Sequence, residues 1–275
     1  MQREAIHHDG AVERAGELGR ASTPVPHGLR ERVGESIGRL WAPAIAAISH
    51  SRRARMFHPR GVVFGGRCEP IIGGAYANLG AQLAGRVLAR FSGALWKRPL
   101  PFFDVLGIAL RFRPGAGAVL DEHPVQGDQD LLFATIRSPL TMLASPFTTN
   151  ARDFFRNKLW AVSPFAVHEH DRVQLRLVPV APLSMRGSRD DRLREAVARG
   201  RARWHLEARR TRTRHWHAFA TITFERELFV DQDALRFDAF RDGGGFTPVG
   251  LVHSIRKAAY SASQHARPVG NDVAT

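Results

Sequence analysis

The chain has 275 residues, 44% of them hydrophobic, a single cysteine and a formal net charge of +14. That length buries one large core, or two small ones, without help, and the lone Cys68 excludes both a disulfide framework and a cluster of thiolate metal ligands. The charge points to nucleic acid or an anionic membrane surface, yet among the 40 basic residues only Lys97, Lys158 and Lys257 are lysines, a bias of base composition more than of a selected interface.

Residues 1–35 hold few large apolar groups and include "TPVPHG", and read as a disordered or wrapping arm. They lack the apolar core of a secretory signal, and "LWAPAIAAI" (40–48) is too short to cross a bilayer. A soluble, cytoplasmic protein with no transmembrane segment is expected. Residues 35–50 have amphipathic helical character. From 61 onward the chain turns to short β-like runs bounded by Gly, Pro or charges: "GVVFGG" (61–66), "RVLARF" (86–91), "VLGIALRF" (105–112) and "DLLFATIR" (130–137). "VQLRLVPV" (173–180) and "HAFATITFERELF" (217–229) alternate as half-buried strands do. Between them lies an Arg-dense stretch, 192–215, read as part of a helix over about 189–210 with Trp204 available for stacking. It is either a solvated basic helix or a contact for nucleic acid or anionic lipid, and nucleic acid is disfavoured because no zinc-finger, helix-turn-helix or RRM pattern accompanies it. "RDGGGFTPVG" (241–250) is a loop, and a C-terminal helix follows over 255–267. Early hairpin-spaced strands with helices inserted late predict an α+β fold with an antiparallel sheet, as one domain over 36–268 before a tail at 269–275.

The C-terminal helix has an unusual stripe. At 100° per residue, Arg256, Tyr260, Ser263 and Arg267 fall within about 60° of one another. The ordinary explanation is a tyrosine packed into the core, with the arginines reaching acids or water. The sharper one is a phenolate bound to ferric iron. Ionising a free Tyr at neutral pH costs about 4 kcal/mol, which a coordinated metal and an Arg one turn away offset. Arg267 on the same face suits a haem propionate. His168, His170, His215 and His217 have no partnering carboxylate or Cys pattern and read as surface pairs rather than metal ligands.

The stripe resembles the proximal helix of haem catalases, Arg-x-x-x-Tyr with a hydroxyl residue three further on and an Arg seven after the Tyr. Ser261 stands where that family has Pro, and Gln264 where it has His. "RMFHPRG" supplies Arg55, His58, Arg60 and Gly61 in the form of the family's distal segment, and "ARFSG" supplies Arg90, Phe91 and Ser92. A Gly-containing strand (104–112) and a strand ending Ile136-Arg137 follow in the same order. The resemblance covers roughly 50–137 and 217–267. It is to shortened, catalase-related proteins, which include peroxidases and relatives of allene oxide synthases.

The resemblance implies a catalase-like antiparallel β-barrel with haem b held between barrel and C-terminal helix. Tyr260 is then the iron ligand with Arg256 beside it. Arg55, Arg90 and Arg267 hold the propionates, His58 is the acid–base group and Ser92 fixes its tautomer. Asp130 falls where catalases carry an amide. A carboxylate only accepts hydrogen bonds, so slow oxygen release from hydrogen peroxide is expected, rising in Asp130→Asn. The implied function is peroxidase-like turnover of hydrogen peroxide or an organic hydroperoxide with a reductant, in a chain that could form a homo-oligomer. The alternatives are a haem-binding protein without turnover and a basic module for nucleic acid or anionic lipid.

Overall fold

The computed structural model describes residues 61–249 apart from 95–102, 116, 139–140, 142–143, 162, 168–169 and 184. The expected arm, the helices at 35–50 and 255–267, the tail, and with them Arg55, His58, Arg256, Tyr260 and Arg267, lie outside the described residues.

Ten strands and three α-helices are described: β1 (Gly61–Pro70), α1 (Ala77–Gln82), β2 (Gly85–Gly93), β3 (Leu106–Pro114), β4 (Gln129–Ala134), α2 (Ser145–Thr148), β5 (Leu159–Trp160), β6 (Phe165–Val167), β7 (His170–Pro179), α3 (Arg189–Ala198), β8 (Arg203–Arg210), β9 (His217–Glu227) and β10 (Thr247–Pro248). The sheet runs β5-β4-β3-β2-β1-β9-β8, and pairing of β7 with both β5 and β8 closes it into an antiparallel barrel of eight strands. Closure leaves no exposed edge around the ring. The short β6 pairs with β7, and β10 adds to β6.

Strict alternation sets the inside. Phe64, Phe91, Leu110, Leu131, Trp204 and Phe224 belong to one buried cluster. Phe91 sits at its centre, edge-on to Phe154 and Phe224 at centroid distances of 5.1 and 5.2 Å, and Trp204 stacks on Phe155 at 4.5 Å. Cys68 is part of the same core, and burial pushes its thiol up to about 12.

The Arg-dense stretch is not one helix. The helix α3 starts on a capping box between Ser188 and Asp191. It stops at Gly200, whose φ of +64° suits glycine. There Gly200 N donates to Val197 O and Arg201 N to Ala196 O, closing a Schellman turn. The chain then enters β8, where Trp204, Leu206 and Ala208 face inward while Arg203, His205 and Arg209 do not. Trp204 is therefore core, not a stacking surface.

One glycine in the 241–250 loop is needed for close approach. A Cβ on Gly243 would lie 2.5 Å from the carbonyl carbon of Gly127, and Gly243 N donates to Asp128 O at 3.2 Å. Gly243→Ala is expected to lower the urea midpoint by an amount equivalent to about 1–3 kcal/mol. Gly117→Ala, where a Cβ meets nothing within 4 Å, is the matched control and leaves the midpoint in place.

Candidate functional site

The register of β1 to β4 arranges the outward-facing residues in rows across four strands. One row is Gly61, Ser92, Gly107 and Ala134; the next is Val63, Arg90, Ala109 and Leu132; the third is Gly65, Leu88, Arg111 and Asp130. Their neighbours along each strand, Phe64, Phe91, Ile108 and Phe133 among them, are in the core, which fixes these rows as the outer face.

Small residues in the first two rows form a low floor, with the Arg90 guanidinium reaching over Gly61. Gly61, Gly107, Ala109 and Ala134 project at most a methyl group, and Gly61, Ala109, Leu132 and Ala134 are half-buried. Ser92 and Arg90 border this floor, both buried. Arg90 Nε donates to Gln232 Oε1 at 3.3 Å, and Gln232 Nε2 donates to Gly61 O at 2.7 Å. The strap that carries Gln232 covers the adjoining part of the face, where Leu235 packs with Val63 and Leu88, flanked by Leu228, Val230 and Phe237.

Asp130 is under that strap. Arg111, fully buried, makes a two-pronged contact with it: Nε to Oδ1 at 3.0 Å and Nη2 to Oδ2 at 3.3 Å. Asp130 Oδ2 also accepts from Asp238 N at 2.8 Å and from the guanidinium of Arg241. Arg111 continues to Glu122 O at 3.1 Å and to Arg236 O. Burial pushes the Asp130 carboxyl up, against the pull of Arg111, the Asp238 N–H and Arg241. A second fork lies one row further: Arg113 Nε and Nη2 meet Asp128 at 3.0 and 2.9 Å, and Arg113 also donates to Val119 O and His123 O. These two forks tie the 115–128 connection and the 231–246 strap to the barrel.

Ser92, Arg90 and Asp130, the three expected site residues among the described ones, thus share one face. They do not share one contact point. Ser92 and Asp130 pair with Gly107 and Arg111 on β3, a spacing of about 13 Å along that strand, so one imidazole cannot bond both. Gln129, the amide next to Asp130 in sequence, faces the other way and bonds Arg241 O and the main chain of Phe246. The floor therefore receives Leu132 and Ala134 from β4, and no amide.

Sequence reading missed the three members of the forks other than Asp130: Arg111, Arg113 and Asp128. Their signal was present: "RFR" over 111–113 and "DQD" over 128–130 place like charges two apart on neighbouring strands, so both pairs form in one register. Among the described residues no group of three His, Cys, Asp or Glu could hold a metal ion. No helix among them is long and apolar enough to cross a membrane.

No protein-family model matches the sequence, and no curated protein matches it. Solved structures do match the fold. A fungal catalase aligns with a TM-score of 0.52 at 11% identity, covering 82% of this chain and 62% of the catalase. A bacterial catalase aligns with a TM-score of 0.55 at 12% identity, covering 82% and 60%. The fold is a catalase-like barrel, and the chain spans about three fifths of the length of these catalases.

Proposed function

We propose that the floor outside β1–β4 receives haem b, and that the protein is a haem-dependent hydroperoxidase with peroxidase-like turnover of hydrogen peroxide or an organic hydroperoxide. The observation that carries this reading is the floor itself: four glycine or alanine positions in adjoining rows, three of them half-buried, on a barrel of the catalase type. Such a surface fits a flat apolar ring system. Tyr260 would bind the iron with Arg256 beside it, and Arg55, Arg90 and Arg267 would hold the propionates. When bound, haem supplies a ferric centre that weakens the peroxide O–O bond.

The chain's own residues supply the rest. His58 takes the proton from the hydroperoxide and returns it to the leaving oxygen. Ser92 accepts from His58 and holds one tautomer. Strand β4 brings Leu132 and Ala134 to the floor rather than an amide, which favours peroxidase turnover with weak disproportionation. The same observation gives weight to a second reading, a haem-binding protein without turnover.

Tyr260 and Tyr76 are the two tyrosines of the chain. Tyr76 is buried beside the His217 ring at 5.8 Å. Tyr260→Phe is expected to lose haem or to shift its absorption spectrum, whereas Tyr76→Phe keeps both. Full haem content with an unaltered Soret band in Tyr260→Phe rules out the ligand assignment. Wild-type protein that binds haem but gives no peroxide-dependent oxidation identifies the second reading.

A further inference from the structure

A cleft of about 380 Å³ opens on the outside of the barrel where β5, β7 and β8 meet, lined by Arg137, Lys158, Trp160, Arg176, Arg209 and Trp216. Four of the six are cations. Arg176 and Arg209 are both packed on the Trp216 ring, their guanidinium carbons 4.3 and 4.6 Å from its centroid. Among the described residues one carboxylate, Glu207, meets this group, at Arg176. Arg209 donates to a neutral acceptor, Gln174 Oε1, at 2.8 Å. Arg137 and Lys158 have no carboxylate partner among the described residues and are exposed.

Holding these charges together is unfavourable without a counter-charge. Burial, then the charges of Arg137 and Arg176, pull the Arg209 guanidinium below its ordinary value. Contact with Trp216 offsets only part of this, since a cation over an aromatic ring contributes about 0.5–2 kcal/mol. An anion bound among the four offsets it directly, and guanidinium forks match the geometry of phosphate oxygens. The volume is at the small end of the roughly 300–1,000 Å³ of ligand pockets, which suits a phosphate group with a short carbon skeleton.

We infer that this cleft binds a small, multiply charged oxyanion of the phosphate class. The cleft adjoins the proposed haem floor but shares no residue with it: Trp160 is the register partner of Ala134 on the neighbouring strand, and no floor residue lines the cleft.

The test is calorimetric titration of the full chain with inorganic pyrophosphate, inorganic phosphate and glycerol phosphate, at an ionic strength held constant with chloride. Saturable binding at one site is expected, together with a rise in thermal midpoint. Lys158→Gln and Arg137→Gln, whose side chains are exposed and whose folding is checked by the unchanged midpoint without ligand, are each expected to weaken binding roughly tenfold. Tighter binding of glycerol phosphate than of inorganic phosphate identifies an ester as the ligand, and the reverse identifies the free anion. Heats that fail to saturate, or affinities untouched by both variants, overturn the site. A single-stranded oligonucleotide binding far more tightly than pyrophosphate also overturns it, in favour of a nucleic-acid groove.

Discussion

Asp130→Asn is expected to destabilise the fold by about 3 kcal/mol, and not to raise oxygen release from peroxide. Both oxygens of Asp130 are engaged by Arg111, Asp238 N and Arg241. The neutral amide leaves Arg111, whose side chain is fully buried, without its counter-charge. Removing one member of such a pair typically costs about 3–5 kcal/mol, while replacing both by apolar residues of similar size is close to neutral. Arg111→Met should therefore fall into the same range, and Arg111→Met with Asp130→Leu should recover much of the loss. Urea midpoints at an unchanged slope give these numbers, with the double-mutant cycle giving the coupling. A stable Asp130→Asn that evolves oxygen faster than wild type would restore Asp130 to the reacting face and refute its role as the anchor of the strap.

The second large effect is on chemistry. His58→Ala is expected to keep haem and lose peroxide-dependent activity by roughly 10²–10⁴-fold, the usual contribution of a positioned acid–base group. Ser92→Ala should act through His58 and cost less, moving the pH profile of the rate more than haem content. The pair of measurements separates chemistry from assembly. Wild-type turnover in His58→Ala would show that the likeness of "RMFHPRG" to a distal segment is accidental.

Much of the fold was legible because its strands obey a simple rule. The alternation over 173–180 and 217–229 marked half-buried strands, and β7 and β9 occupy those stretches. From sequence the first run ends at 66, on a pair of glycines. In the structure Gly65 and Gly66 straddle an irregularity in the pairing with β9, and β1 continues to Pro70. The 192–215 stretch reads as helix from sequence because many arginines look solvated in any conformation. Gly200 and the inward period of Trp204, Leu206 and Ala208 carried the correction. The face of the candidate site was partly legible: Ser92, Arg90 and Asp130 do share it. Their spacing was not, because distance between residues on different strands depends on register, and register depends on how the 115–128 connection folds back.

Barrel closure also sets a timetable for folding. The first strand, β1, forms one ladder with β2 and the other with β9, and the partners in that second ladder lie roughly 150 residues apart in sequence. Contacts of such long range form late, because the intervening chain must first be ordered. Until residues 217–227 arrive, β1 presents a bare row of backbone donors and acceptors, the kind of edge on which chains stick to one another. Arg67 and Glu69 are the exposed charges on that waiting strand, and they oppose such self-association in the interval before β9 seals the ring.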